Sequence, residues 1–142
     1  PDLAYKKKAE VGCYASPLVG QESLSGLVVF TVTNAGDGAQ VIALDKQTGK
    51  VAWQLALESA AVSSPVAVYN QDGDGWVIQA ESNGRIHLLE GLTGKVLNTL
   101  TLTADSEDAT LEIKASPAVY GNLLVIGTTG KNAGGVYCIK IE

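Results

Sequence analysis

The chain has 142 residues, 46% hydrophobic and 18% charged, which is enough for one substantial core and too little for two large domains. Ten Lys and Arg against fifteen Asp and Glu give a net charge of −5, so a nucleic-acid partner is not expected. No stretch approaches the ~18 consecutive apolar residues of a membrane span, and no basic segment leads into an apolar one as a signal peptide requires.

In chain order, the first candidate element is "DLAYKKKAEV" at residues 2–11, with its basic run Lys6-Lys7-Lys8. Ser-Pro then recurs at Ser16-Pro17, Ser64-Pro65 and Ser116-Pro117, at spacings of 48 and 52. Each dipeptide opens an apolar run: "LVGQESLSGLVVFTV", "VAVYNQDGDGWVIQA" and "AVYGNLLVIGT". A second run follows in each, "QVIALD", "RIHLLE" and "GVYCIK". In two units Thr-Gly-Lys-Val comes next, at Thr48–Val51 and Thr93–Val96, followed by a closing run, "VAWQLAL" or "VLNTLTL".

Each unit of about 45 residues reads as four short strands, a to d, rich in Val, Ile, Leu and Tyr and separated by turn residues. No helical period is sustained. Nearly continuous apolar strands such as "LVVFTV" and "LLVIG" predict burial on both faces, as in a sheet held between two others. The expected fold is all-β: three four-stranded antiparallel blades of a β-propeller, a partial ring. Trp53 lies twelve positions before Pro65 and Tyr5 twelve before Pro17, so residues 2–11 align as a lone strand d. The expected division is 1–15 as strand d of a preceding or partner blade, 16–63 as blade 1, 64–115 as blade 2, and 116–142 as blade 3 without its last strand.

The stretch "ALDKQTGKVAW" carries the most specific signal. Asp45 can accept hydrogen bonds from the backbone of the c–d turn, and Thr48 can add its hydroxyl. Gly49 supplies the positive φ of a tight hairpin. Ala43 leaves room on the sheet for Trp53, whose indole N–H needs a carbonyl. The second copy keeps Thr93, Gly94 and Lys95 but has Leu88, Glu90 and Asn98 where the first has Ala43, Asp45 and Trp53.

At Ala43, Asp45, Thr48, Gly49 and Trp53 the sequence resembles the tryptophan-docking repeat of PQQ-type, quinoprotein-like propellers. The resemblance implies that Trp53 packs between Ala43 and Gly94 of the next blade, and that Asn98 leaves the next junction weaker. Enzymes of that family need a complete ring, adjacent cysteines, a calcium site and an axial acidic base. None of these can be placed here, so no PQQ and no catalytic residue is expected.

Other candidate chemistry is sparse. Asn70, Asp72 and Asp74, with Gly75 and Glu81, match part of an EF-hand loop. Seven residues of strand from Gly75 to Glu81 would, however, carry Glu81 roughly 20 Å from the turn. Asn70, Asp72 and Asp74 remain three candidate calcium ligands, set against a plain polar turn. Cys13 and Cys138, 125 positions apart, fit no disulfide framework or zinc spacing and read as small buried hydrophobes. His87, the only histidine, aligns with Ile42 and Tyr137 as a packed strand residue. Asp105, Glu107 and Asp108 form an acidic d–a connection, and Trp76 begins a strand beside an exposed turn.

Three blades leave faces and edges open, because closed propellers use four to eight. Since the chain opens on Pro1, upstream blades of a longer protein are one expected partner. A second copy, whose residues 2–11 complete blade three in a two-fold dimer, is the other. The functional expectation is a non-catalytic scaffold that binds protein partners through its face loops. It would belong to an extracytoplasmic, cell-envelope or cell-surface protein. The alternatives are a fragment of a PQQ-dependent dehydrogenase and a calcium-stabilised adhesion-type module.

Overall fold

A computed structural model describes residues 12–34 and 38–142. The strand expected at residues 2–11, and with it the dimer it would build, lies outside the described residues. Eleven strands are described: β1 (Leu18–Val19), β2 (Leu27–Thr33), β3 (Ala39–Asp45), β4 (Val51–Leu57), β5 (Val66–Tyr69), β6 (Gly75–Ala80), β7 (Arg85–Glu90), β8 (Val96–Thr101), β9 (Ala118–Tyr120), β10 (Leu123–Thr128) and β11 (Gly135–Lys140). They form three antiparallel sheets of neighbouring strands: β1–β4, β5–β8 and β9–β11. These are propeller blades of four, four and three strands.

The sheets stack around two cores. Leu24, Leu27, Val29, Val41, Ala43 and Trp53 from the first blade meet Val77 and Leu89 from the second. Ile78, Ala80 and Ile86 on the second blade's other face meet Leu124 and Ile126 of the third. Adjacent Val77 and Ile78 thus serve opposite cores and are both buried, as period-two side-chain direction requires in a sheet covered on both faces. The third blade has one packed face. Along β10, Leu124 and Ile126 are buried, while Leu123 and Val125 are each 40% exposed.

Polar bonds tie equivalent positions of successive blades. The Ser16 N–H donates to Ser64 Oγ at 2.8 Å, and the Ser64 N–H donates to Ser116 Oγ at 2.8 Å. The Gln21 N–H donates to Tyr69 Oη at 2.8 Å. Thr31 Oγ1 donates to Gln79 Oε1 at 2.7 Å, inside the stack. Three of these four bonds join residues 48 apart, the length of one repeat. Gln79 also donates to the Ser63 and Ala80 carbonyls, so this buried amide is hydrogen-bonded, as burial demands.

The segment entering each blade is stitched to the end of a second strand. Gly12 exchanges two backbone bonds with Thr33, the Ser82 N–H donates to the Ala60 carbonyl, and Glu112 pairs with Thr129. The β1–β2 connection differs from the expected strand run. It carries a single 3₁₀ turn, Glu22–Leu24, which drives Leu24 into the core at 0% exposure.

Candidate functional site

The c–d hairpins build the two junctions between blades. In the first, Asp45 Oδ1 accepts from the N–H groups of Gln47 at 3.0 Å and Thr48 at 2.7 Å, and from the Thr48 hydroxyl at 2.8 Å. The Gly49 N–H closes on the Asp45 carbonyl at 2.8 Å, with Gly49 at φ 68°. The Thr48 N–H, then its hydroxyl, hold the Asp45 carboxyl below its ordinary value of 3.8; slight burial opposes them and the Gln47 N–H adds to them. The second hairpin repeats the plan with a longer acid. Thr93 Oγ1 donates to Glu90 Oε2, and the Gly94 N–H donates to the Glu90 carbonyl at 2.8 Å. Both hairpins carry a bulge at the same place, after Ala43 and after Leu88.

Trp53 stands across the β3–β4 hairpin from Ala43, and both are buried. Its indole crosses to the next blade, where Nε1–H donates to the Gly91 carbonyl at 3.0 Å. A Cβ at Gly94, whose φ is 72°, would lie 2.6 Å from Trp53 Cδ2. Only a glycine admits the ring there. In the second blade the sizes are reversed. Leu88 stands opposite Asn98, and β8 is exposed at every position.

The Asn70–Asp74 turn satisfies itself. Asn70 Oδ1 accepts from the Asp72 N–H at 3.0 Å and the Asp74 N–H at 2.8 Å. Asn70 Nδ2 donates to Asp74 Oδ2 at 3.0 Å. The amide oxygen counted as a candidate calcium ligand thus accepts two backbone hydrogen bonds within its own turn. Among the described residues no three His, Cys, Asp or Glu side chains are grouped to hold a metal.

Sequence reasoning missed a buried relay. Glu81 is 1% exposed. Its Oε2 accepts from the Ser59 N–H at 2.6 Å, and its Oε1 lies 2.5 Å from His87 Nε2. His87 Nδ1 lies 2.9 Å from Thr99 Oγ1. The relay ties the connection between blades to β7 and β8, beside a cavity of about 280 Å³ lined by Leu55, Glu58, Arg85 and Thr99. Arg85 pairs with Glu58 at its mouth. The available signal was Glu81 and His87 flanking one hairpin, six positions apart.

The cysteine reading is corrected. Cys13 and Cys138 are free and exposed. Cys13 precedes β1, and Cys138 sits on β11, whose residues are exposed or half-buried throughout.

Four-stranded antiparallel blades, joined by an indole laid on the glycine corner of the next blade, define a tryptophan-docked β-propeller. A family model described as outer membrane protein assembly factor BamB matches residues 3–142, and the chain belongs to this PQQ-type repeat family. It is 31% identical over 131 residues to the outer membrane protein assembly factor BamB of Yersinia pestis, covering 92% of this chain and 31% of that protein. The chain thus spans about a third of that relative's length.

Two solved structures share the fold. BamB from Moraxella catarrhalis superposes with a TM-score of 0.57 at 18% identity, covering 94% of this chain and 38% of that one. Quinohemoprotein alcohol dehydrogenase from Comamonas testosteroni superposes with a TM-score of 0.64 at 20% identity, covering 92% and 20%. No helix among the described residues is long and apolar enough to cross a membrane.

Proposed function

We propose that this chain is a non-catalytic propeller scaffold, part of an extracytoplasmic factor that binds proteins during outer-membrane protein assembly. The observation that carries the reading is the 31% identity over 131 residues to an assembly factor. The chemistry agrees with it. Three polar groups hold the fold: the Asp45 carboxylate shapes its own turn, the Trp53 indole clasps Gly91, and the Glu81–His87 relay holds the Ser59 linker. A scaffold needs that rigidity, and its partners then bind at loops and blade rims.

The reading is tested in the host cell by removing the region that encodes residues 12–142. The expected result is a loss of outer-membrane β-barrel proteins, measured by quantitative mass spectrometry of envelope fractions. Unchanged barrel-protein levels would overturn it. Compartment is tested with a membrane-impermeant maleimide, for which exposed Cys13 and Cys138 are ready targets. Labelling in cells with a permeabilised outer membrane and an intact inner one is expected, and protection of both thiols under those conditions counts against the proposal.

A further inference from the structure

His87 on β7 and Thr99 on β8 are direct cross-strand partners, which brings the Thr99 hydroxyl to 2.9 Å from His87 Nδ1. The other ring nitrogen, Nε2, lies 2.5 Å from Glu81 Oε1. Glu81 is 1% exposed and His87 9%, whereas every residue of β8 is exposed. The line therefore runs from a buried acid, through a nearly buried ring, to a hydroxyl on an exposed strand.

The hydrogen bonds assign the ring's proton. Glu81 Oε2 already accepts the Ser59 N–H at 2.6 Å, and a carboxylate only accepts. The proton shared with Oε1 is thus the ring's, and Nε2–H donates to Glu81. In the neutral imidazole this leaves Nδ1 as an acceptor facing the Thr99 hydroxyl. A hydroxyl bonded to a base, which a carboxylate in turn orients, is the arrangement that activates a nucleophile. All three side chains line the cavity of about 280 Å³ between the first two blades. Leu55, Leu57 and Val96 give it an apolar wall. Arg85, two residues before His87 on β7, lines it too and pairs with Glu58 of the first blade's connection. With Glu81, these are the charged groups that share the cavity with His87. A guanidinium there can stabilise negative charge developing on an oxygen.

We infer that Thr99 is a base-activated nucleophile, which accepts an acyl group from an activated ester or thioester with a short acyl chain. Thr99 Oγ1 bonds to the acyl carbon while that carbon's bond to its alkoxide or thiolate breaks. The hydroxyl proton passes to His87 Nδ1 and leaves with the departing group. Glu81 acts through the ring, holding its tautomer and orientation, and is a positioning residue. The cavity lies at the small end of ligand sites, which limits the acyl chain. The product is an ester on the protein, formed once per chain. It goes beyond the scaffold reading and is compatible with it.

The test uses a fluorophosphonate with a short alkyl chain, a reagent for activated hydroxyls that spares ordinary ones. The bond from Oγ1 to phosphorus forms as phosphorus–fluorine breaks, and fluoride leaves with the proton. Mass spectrometry of the full chain and its peptides should show one adduct, on Thr99, that is absent from the chain unfolded in urea. Labelling should accelerate between about pH 5 and 8, as the imidazole becomes free to accept a proton. Thr99→Val, on an exposed strand, should abolish the adduct, and Thr99→Ser should keep it. In Glu81→Gln the amide oxygen must serve the Ser59 N–H, so the amide N–H faces Nε2 and moves the ring proton to Nδ1. Labelling should then slow about tenfold or more across the pH range. Circular dichroism checks that each variant is folded; if Glu81→Gln is not, the two threonine variants and the pH profile decide. No adduct, an adduct only on another residue, a flat pH profile, or a folded Glu81→Gln labelled at the wild-type rate each overturns the inference.

Discussion

The junction between the first and second blades and the junction between the second and third use the same backbone hairpins with opposite side-chain choices. At the first, a small residue faces a large one: Ala43 sits under Trp53, and the ring reaches across to Gly91 and Gly94. At the second, Leu88 faces Asn98, and the strand carrying the asparagine lies in solvent. The turn chemistry survives in both, since Thr48 caps Asp45 and Thr93 caps Glu90. Hairpin and clasp are therefore separable. Local hydrogen bonds shape the turn, and a single aromatic decides whether that turn also locks its neighbour.

Trp53→Ala should break the contrast most. Removing a buried indole together with its hydrogen bond is expected to cost about 3–5 kcal/mol, read from the midpoint of chemical denaturation. Asn98→Ala at the equivalent exposed position should stay within about 0.5 kcal/mol. Equal losses would mean that the indole does not carry the first junction.

Leu24→Ala comes next, at about 2–4 kcal/mol, because it empties a fully buried site beneath Gly75 and Gly91. It should also raise amide exchange in the β6–β7 hairpin before that in β10. Gly94→Ala forces a side chain into both a left-handed backbone and the face of the ring, at about 1–3 kcal/mol. In a Trp53→Ala background the steric part should vanish and the backbone part remain, which a double-mutant cycle by denaturation would resolve.

The smallest effect belongs to Asp45→Asn. The folded-state carboxyl titrates below its unfolded value. Its contribution is thus complete above that unfolded value and is lost as pH falls through the folded one. Melting temperatures of wild type and variant should therefore differ near neutrality and converge below about pH 4. A gap that persists in acid would assign the effect to geometry rather than charge.

The blades and the docking turn were legible in the sequence because their signals are local. Ser-Pro spacing, apolar runs of strand length and Asp45-x-x-Thr48-Gly49 each report on a few neighbouring residues. Leu24 was hidden because "GQESLSG" lies inside a longer apolar stretch, and one 3₁₀ turn decides whether its leucine points inward. In sequence Glu81 matches the end of a cation loop, whereas its partners are His87 across a hairpin and the Ser59 amide from the preceding connection. The cysteines were misjudged because residue type stood in for position. Cys13 sits in a connection and Cys138 on a strand with one open face. Pairing between residues distant in sequence depends on blade stacking, which no short window contains.

The serines of the three Ser-Pro dipeptides form a chain of their own, since each of the first two donates its amide to the hydroxyl of the next. Successive wedges are thereby indexed to one another at a place unaffected by whether tryptophan or asparagine occupies the closing strand. Such a thread of amide-to-hydroxyl bonds gives consecutive wedges a fastening that needs no aromatic side chain.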